Sequence, residues 1–166
     1  MDVRVRVATP ADYPAAGRIS VTAYREGGHF TGDAEFYAKK LADAETRATQ
    51  CDLLVAVDAA SQDVLGTVAY CPYGTPLTEL CEEGEAEFRM LAVDPAAQGR
   101  GVGETLVRAC VDRARDAGCR ALVLCSRSDV AFAAIRLYER LGFTRTPEKD
   151  WSPAEGISLI GWRMEL

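Results

Sequence analysis

Residues 93–109 read VDPAAQGRGVGETLVRA, with glycines at 99, 101 and 103 and then an amphipathic run. Glycine weakens a helix or strand by roughly 0.5–1 kcal/mol relative to alanine, so three at alternate positions ask for a backbone reason. After them, Val102, Leu106, Ala109 and Cys110 share one helical face, while Glu104, Arg108, Asp112 and Arg115 share the other. Before them, Glu85 to Val93 reads as a strand. A strand, a glycine turn and a helix N-terminus together present unpaired backbone N–H groups and the positive end of a helix dipole. Without Cβ atoms in the way, those donors can close on a phosphate or pyrophosphate. Spacing then removes two phosphate loops. GxxxxGK[ST] needs a lysine, yet Glu104 and Thr105 follow Gly103. GxGxxG needs a third glycine where Glu104 stands.

Working outward, Val3 to Val7 (VRVRV) alternates as a half-buried strand. Thr9, Pro10 and Asp12 then supply a helix start, and that helix runs through YPAAGRISVTAYR to Gly27 and Gly28. A second helix is expected from Asp33 to about Thr49 on the stripe Phe36, Tyr37, Leu41 and Ala44. DLLVAV and VLGTVAYC read as strands joined by the hairpin turn DAASQD. Beyond the glycine segment the helix ends at Gly118, and RALVLCS reads as a buried strand. The last helix, DVAFAAIRLYERLG, is expected to be capped by Ser128 or Asp129 and closed by Gly142. FTRT and ISLIGWRMEL follow as strands. The order β α α β β β α β α β β makes the fold class α/β, with a mixed sheet in a single domain over 1–166.

The 166 residues suit one domain with a real core. Their 48% hydrophobic and 27% charged composition is that of an ordinary globular chain. No apolar run reaches the roughly 18–20 residues of a membrane span, and MDVRVRVATP is not patterned as a signal peptide, so the cytoplasm is the expected location, without membrane partners. Six cysteines lack a CxxC pair and His29 is the only histidine, so no metal site is expected. Buried, reduced thiols are the expected state of cysteines set in apolar context. A net charge of −6 argues against a nucleic-acid partner and is compatible with a cationic one.

The segment Gln98-x-x-Gly101-x-Gly103, preceded by LAVDP, resembles the acyl-coenzyme A pyrophosphate loop of the GNAT superfamily of N-acetyltransferases. AAIRLYERLGF (Ala133 to Phe143) resembles the second signature of that family, and the element order agrees over nearly the whole chain. The resemblance implies a mostly antiparallel sheet that splays between strands 4 and 5, here Glu85 to Val93 and Arg120 to Ser126. Acetyl-CoA would enter that split as cosubstrate. Its pantetheine arm would pair with the main chain of Leu91, Ala92 and Val93. Its pyrophosphate would sit on the amides of Gln98, Gly99, Arg100, Gly101, Val102, Gly103 and Glu104, and the Arg100 side chain would add a phosphate contact.

The implied reaction moves acetyl from the thioester to a primary amine of a small molecule or peptide. The amine must first lose a proton, since an alkylammonium has a pKa of about 10.4. Glu87 is the expected base, placed by parity on the face of Arg89, Leu91 and Val93, with Glu85 in reserve. Tyr138 matches the family's general acid for the departing thiolate, and a main-chain N–H near Leu91 would serve the oxyanion. Ala131 stands where many members carry an asparagine that contacts the coenzyme arm, so that contact is either missing or supplied by another group such as Ser128 or Asp129. The acceptor would lie between REGGHFTGDAEFY and GTPLTELCEEGEAE, where Glu79, Glu82, Glu83, Glu85 and Glu87 could attract a cation and where His29, Phe30 and Trp151 could line the walls. A protein N-terminal or lysine acetyltransferase, and an idle acyl-CoA-binding regulatory module, are the alternatives. A cysteine nucleophile has no local signature. Homodimers are common in the family, through terminal strands or sheet edges.

Overall fold

The computed structural model describes residues 2–30 and 34–166. Strands β1 (Val3–Val7), β2 (Asp52–Asp58), β3 (Val64–Pro72), β4 (Glu85–Val93), β5 (Ala121–Arg127), β6 (Thr144–Arg145), β7 (Trp151–Ala154) and β8 (Ile157–Glu165) form one sheet. Its spatial order is β1-β2-β3-β4-β5-β8-β6, with β7 paired to β8. All pairings are antiparallel except β4 with β5. Helix α4 (Val102–Asp116) crosses between those two parallel strands, as a parallel connection requires.

Each face of the sheet has its own apolar layer. On one, Leu54, Val68, Phe88 and Leu122 meet Val102, Leu106 and Cys110 of α4 and Tyr138 of α5 (Phe132–Leu141). On the other, Leu53, Val55 and Val57 meet Ala16 of α1 (Tyr13–Glu26) and Ala44 of α3 (Ala44–Ala48). Among the described residues, no helix is long and apolar enough to cross a membrane.

The expected second helix is two. α2 (Ala34–Ala42) gives way at Asp43, which caps α3 by accepting the Thr46 N–H at 3.0 Å. Asp33 lies outside the described residues. An aspartate that can cap wins over the continuous apolar stripe because its side chain competes for backbone donors. Helix α5 also starts later than the sequence suggests, at Phe132 with Ala131 as N-cap. Asp129 does not cap it, because Arg127 holds both carboxylate oxygens, Nε at 2.9 Å and Nη2 at 2.7 Å. The FTRT strand shrinks to Thr144–Arg145, and β7 is an additional hairpin arm.

Two irregularities open the middle of the sheet. First, β4 and β5 pair only through Glu85–Ala121, Ala86–Leu122 and Glu87–Val123, so their facing edges separate beyond Glu87. Second, β4 carries a bulge. The register jumps from Ala69–Arg89 to Thr67–Ala92, which leaves Met90 and Leu91 together opposite Val68, and Met90 takes φ +56°. An extra residue reverses side-chain parity beyond it. Ala86 and Phe88 before the bulge, and Leu91 and Val93 after it, all pack on the α4 side. Glu87 and Arg89 therefore face the α1 side, and the expected common face of Glu87 with Leu91 and Val93 does not hold.

Candidate active site

At the end of β4, Asp94 accepts the Ala96 N–H at 3.0 Å and shapes a short 3-10 turn over Pro95–Ala97. The chain then turns through Gly99 at φ +82° and Gly101 at φ +77°, both in the left-handed region that glycine tolerates. A Cβ at either position would meet nothing within 4 Å, so open space lies over both. Among the described residues, the amides from Gly99 to Glu104 donate to no carbonyl or side chain; the first helical bond runs from Thr105 N–H to Gly101 O at 3.0 Å. These amides, at the positive end of the 15-residue α4, form an anion cradle. The third glycine differs: Gly103 lets α4 lie close to Val93 and Leu137, which a Cβ would touch at 3.6 and 3.5 Å.

The side chains of the loop turn elsewhere. Arg100 does not stand free for a phosphate: its Nη2 pairs with Asp58 at 3.2 Å and its Nε is buried without a partner among the described residues. Glu104 bridges Arg108 at 3.3 Å and Arg140 at 3.0 Å, tying α4 to α5. Leu91, Ala92 and Val93 lie on the stretch of β4 that no longer pairs with β5, so one main-chain edge is open beside the cradle. Asp129 does not stand free to replace an asparagine at Ala131, whereas the Ser128 hydroxyl makes no hydrogen bond among the described residues. The Ser128 N–H is bonded to Ser158 O at 3.2 Å, and Asp129 is held by Arg127.

Tyr138 sits on the inner face of α5, 4% exposed, with its ring centroid 5.9 Å from Phe88, 5.9 Å from Phe143 and 6.3 Å from Trp162. Trp162 is itself fixed by donating its indole N–H to Ser126 Oγ at 3.1 Å. Burial pushes the Tyr138 phenol well above its ordinary pKa, so it holds its proton at neutral pH. It makes no side-chain hydrogen bond among the described residues, which leaves the hydroxyl available.

Glu87 has no exposed surface. Its Oε1 accepts the backbone N–H groups of Glu79, Leu80 and Cys81 at 3.0, 2.8 and 3.0 Å, and Oε2 is buried without a partner among the described residues. Burial raises its pKa, against the lowering effect of the three amides. As a direct base it is badly placed; as an anchor for the 79–81 turn it is well placed. Glu85 is no reserve, because Arg163 and Arg120 hold its Oε2 and the Glu82 N–H is bonded to Oε1 at 2.9 Å. Burial would raise its pKa, but Arg163 and the Glu82 amide outweigh that and lower it.

The acidic loop is largely neutralised within the fold. Glu79 pairs with Arg89 at 3.0 Å and Glu82 with Lys149 at 2.9 Å. The general attraction for cations read from its composition is correspondingly reduced. Across the split from Glu79 stands Cys125 of β5, whose Sγ approaches Glu79 Oε1 at 3.7 Å; burial pushes that thiol up to about 12, which does not suit a nucleophile. Tyr24 of α1 stacks on His29 at 4.5 Å and lies 6.1 Å from Tyr37 of α2, and burial raises both phenols. Of the group Tyr24, Tyr37, Glu79, Arg89 and Cys125, the sequence singles out only Glu79, as one of five glutamates in its loop; the other four escape it, apart from the parity of Arg89 with Glu87. Among the described residues no cluster suits a metal ion.

The acetyltransferase (GNAT) family model matches residues 18–143, which take in the cradle, the split and Tyr138. The chain belongs to this family. A mycothiol acetyltransferase of Saccharopolyspora erythraea is 32% identical over 140 residues, covering 82% of this chain but 42% of the relative. Human N-acetyltransferase 8B is 32% identical over 98 residues, 59% of this chain and 41% of the relative. The chain thus spans about two fifths of the length of these curated relatives. Among solved structures, a GCN5-related N-acetyltransferase from Kribbella flavida superposes with TM-score 0.71 at 28% identity, covering 99% of this chain and 98% of that one. YncA of Salmonella typhimurium, a putative acetyltransferase solved with acetyl-CoA, shares the fold at TM-score 0.66 and 23% identity over 100% and 95% of the two chains.

Proposed function

We propose that this GNAT chain transfers the acetyl group of acetyl-CoA to a primary amine on a small molecule or peptide. One observation carries the reading: the run of free amides from Gly99 to Glu104, under open space, adjoins the stretch where β4 leaves β5. That pairs an anion cradle with a slot in which an extended ligand can add to the free edge of a strand. Acetyl-CoA fits this donor set and supplies an activated acyl thioester.

The chain's own residues do the rest. Main-chain groups of Leu91, Ala92 and Val93 hold the arm, and amides from Gly99 to Glu104 hold the pyrophosphate; the Gln98 N–H, expected among them, is already donated to Pro95 O at 3.4 Å. Leu91, which the bulge leaves without a ladder partner on β3, offers its N–H to the carbonyl oxygen. On the α1 side of the split a carboxylate accepts the proton of the acceptor ammonium. Nitrogen then bonds to the acyl carbon as the carbon–sulfur bond breaks. The sulfur takes the Tyr138 proton, and the proton shed by the new amide nitrogen restores the phenol. The net products are the N-acetyl amine, the free thiol and one proton.

The test is free-thiol release from acetyl-CoA against polyamines, aminoglycosides, amino acids and short peptides, with binding followed by calorimetry. Amine-dependent release supports transfer and identifies the acceptor class, protein N-termini and lysine peptides included. Binding without release under any amine would make the chain an acyl-CoA-binding regulatory module. Failure to bind acetyl-CoA would overturn the proposal.

A further inference from the structure

Past the last paired rung, Glu87–Val123, the next residues on the α1 face are Arg89 on β4 and Cys125 on β5. Glu79 spans the gap between them. Its Oε1 forms an ion pair with Arg89 Nε at 3.0 Å and accepts from Cys125 Sγ at 3.7 Å. Arg89 is held in turn by Leu77 O, which accepts its Nη1–H at 3.1 Å, so the guanidinium cannot swing away. The backbone of Glu79 is equally fixed, since its N–H is among those that Glu87 gathers. The Glu79 side chain is 21% exposed, and its Oε2 has no partner among the described residues. A carboxylate with one oxygen locked and the other open at the mouth of the split has the form of a cation receptor. Glu87, one step deeper and fully enclosed, does not.

We propose that Glu79 is the carboxylate that receives the acceptor ammonium and takes its proton, and that Glu87 is the positioning residue that holds Glu79 there. The inference rests on the transfer reading above and deepens it. The acceptor's N–H bond breaks, the proton passes to Glu79 Oε2, and the electron pair stays on nitrogen for attack. The proton goes on to solvent after the amide forms. Facing Glu79 are Arg89 on β4, Cys125 on β5, Tyr37 on α2 and, behind it, Glu87. Arg89 and Tyr37 are raised from their ordinary values and Cys125 is pushed up to about 12. Those three keep their charge between pH 7 and about 10, burial raises Glu87 against its three amides, and the acceptor amine, near 10.4, loses its proton as pH approaches that value.

Glu79→Gln and the parent protein are compared at two levels. In turnover with the best amine of the panel, Glu79→Gln should lose about 100-fold in kcat/KM at pH 7 with acetyl-CoA affinity within twofold. The deficit should shrink as pH nears 10, where more of the amine is already neutral. A purely structural role would give a deficit that does not vary with pH. Independently of turnover, n-butylamine is titrated at pH 7 into the CoA-saturated protein and followed by amide NMR. Saturable shifts at Tyr37, Arg89 and Cys125 in the parent, lost in Glu79→Gln, support the site. Unchanged butylammonium binding by Glu79→Gln, or a pH-independent deficit, overturns it. Should the parent bind butylammonium at Glu79 yet acetylate no amine, the transfer reading fails and the cation site stands; active parent with equally active Glu79→Gln means the reverse.

Discussion

Tyr138 and Glu87 are both buried, one with an unengaged hydroxyl and the other with an oxygen that gathers three backbone amides. Tyr138 was identified by a signature, and the fold buries it among Phe88, Phe143 and Trp162 with an unengaged hydroxyl. Removing that hydroxyl disturbs no hydrogen bond of the described residues, so Tyr138→Phe should melt within a degree or two of the parent. Its turnover should fall by about 100-fold with acetyl-CoA affinity retained, as checked by thiol release and calorimetry. Glu87 was identified by parity, which tells nothing about what a carboxylate touches. Because Oε1 collects the amides of 79, 80 and 81, Glu87→Ala would strip three partly buried donors of their acceptor, and a loss of about 1–3 kcal/mol in urea unfolding is expected. Glu87→Gln keeps an acceptor oxygen and should lose much less.

Among the elements, those written in short-range pattern were the most readable. The β4 strand, the glycine turn and α4 lie where the sequence places them, because alternation, left-handed glycine and helical periodicity act within a few residues. The bulge at Met90 was not readable. Nothing in EFRMLAV distinguishes a regular strand from a bulged one, and it is pairing with Val68 that makes the difference. The glycines divide by role, and substitution should separate them. Gly101→Ala pays only the left-handed penalty of about 1–2 kcal/mol, with no clash, but stiffens and covers the cradle; acetyl-CoA affinity should drop more than stability. Gly66→Ala would press 2.9 Å against Ala92 O and Val102 Cγ1 in the core, so stability should fall by about 1–3 kcal/mol with little effect on affinity beyond it. Paired calorimetry and thermal melts distinguish the two patterns.

Across the whole molecule, charge pairs tie separate parts of the chain together. Asp12, at the entry to α1, accepts from Arg6 of β1 at 2.6 Å and from the Thr9 N–H at 2.8 Å. Arg6 above all, together with Thr9, lowers the Asp12 pKa from 3.8 to about 2. A depressed carboxylate gives stability that is present above its unfolded pKa and disappears as pH falls through its folded one. Acid unfolding should therefore include a contribution lost between about pH 4 and pH 2, and Asp12→Asn should flatten that part of the curve measured by circular dichroism.

The sequence alone determined the family and the α/β class, and it placed the glycine turn before α4 and Tyr138 on α5, because turn, strand and helix patterns depend on neighbours a few residues apart. Which carboxylate faces the split was decided only by the tertiary structure. Four of the five glutamates of the 74–87 segment weighed as cation ligands are engaged by groups far from them in sequence or across a turn: Arg89, Lys149, Arg163 and the amides of 79–81. Parity fails at a bulge, and composition cannot show which charges are already paired. Only the separation of β4 from β5, set by packing on both faces of the sheet, brings Glu79, Arg89 and Cys125 to one place.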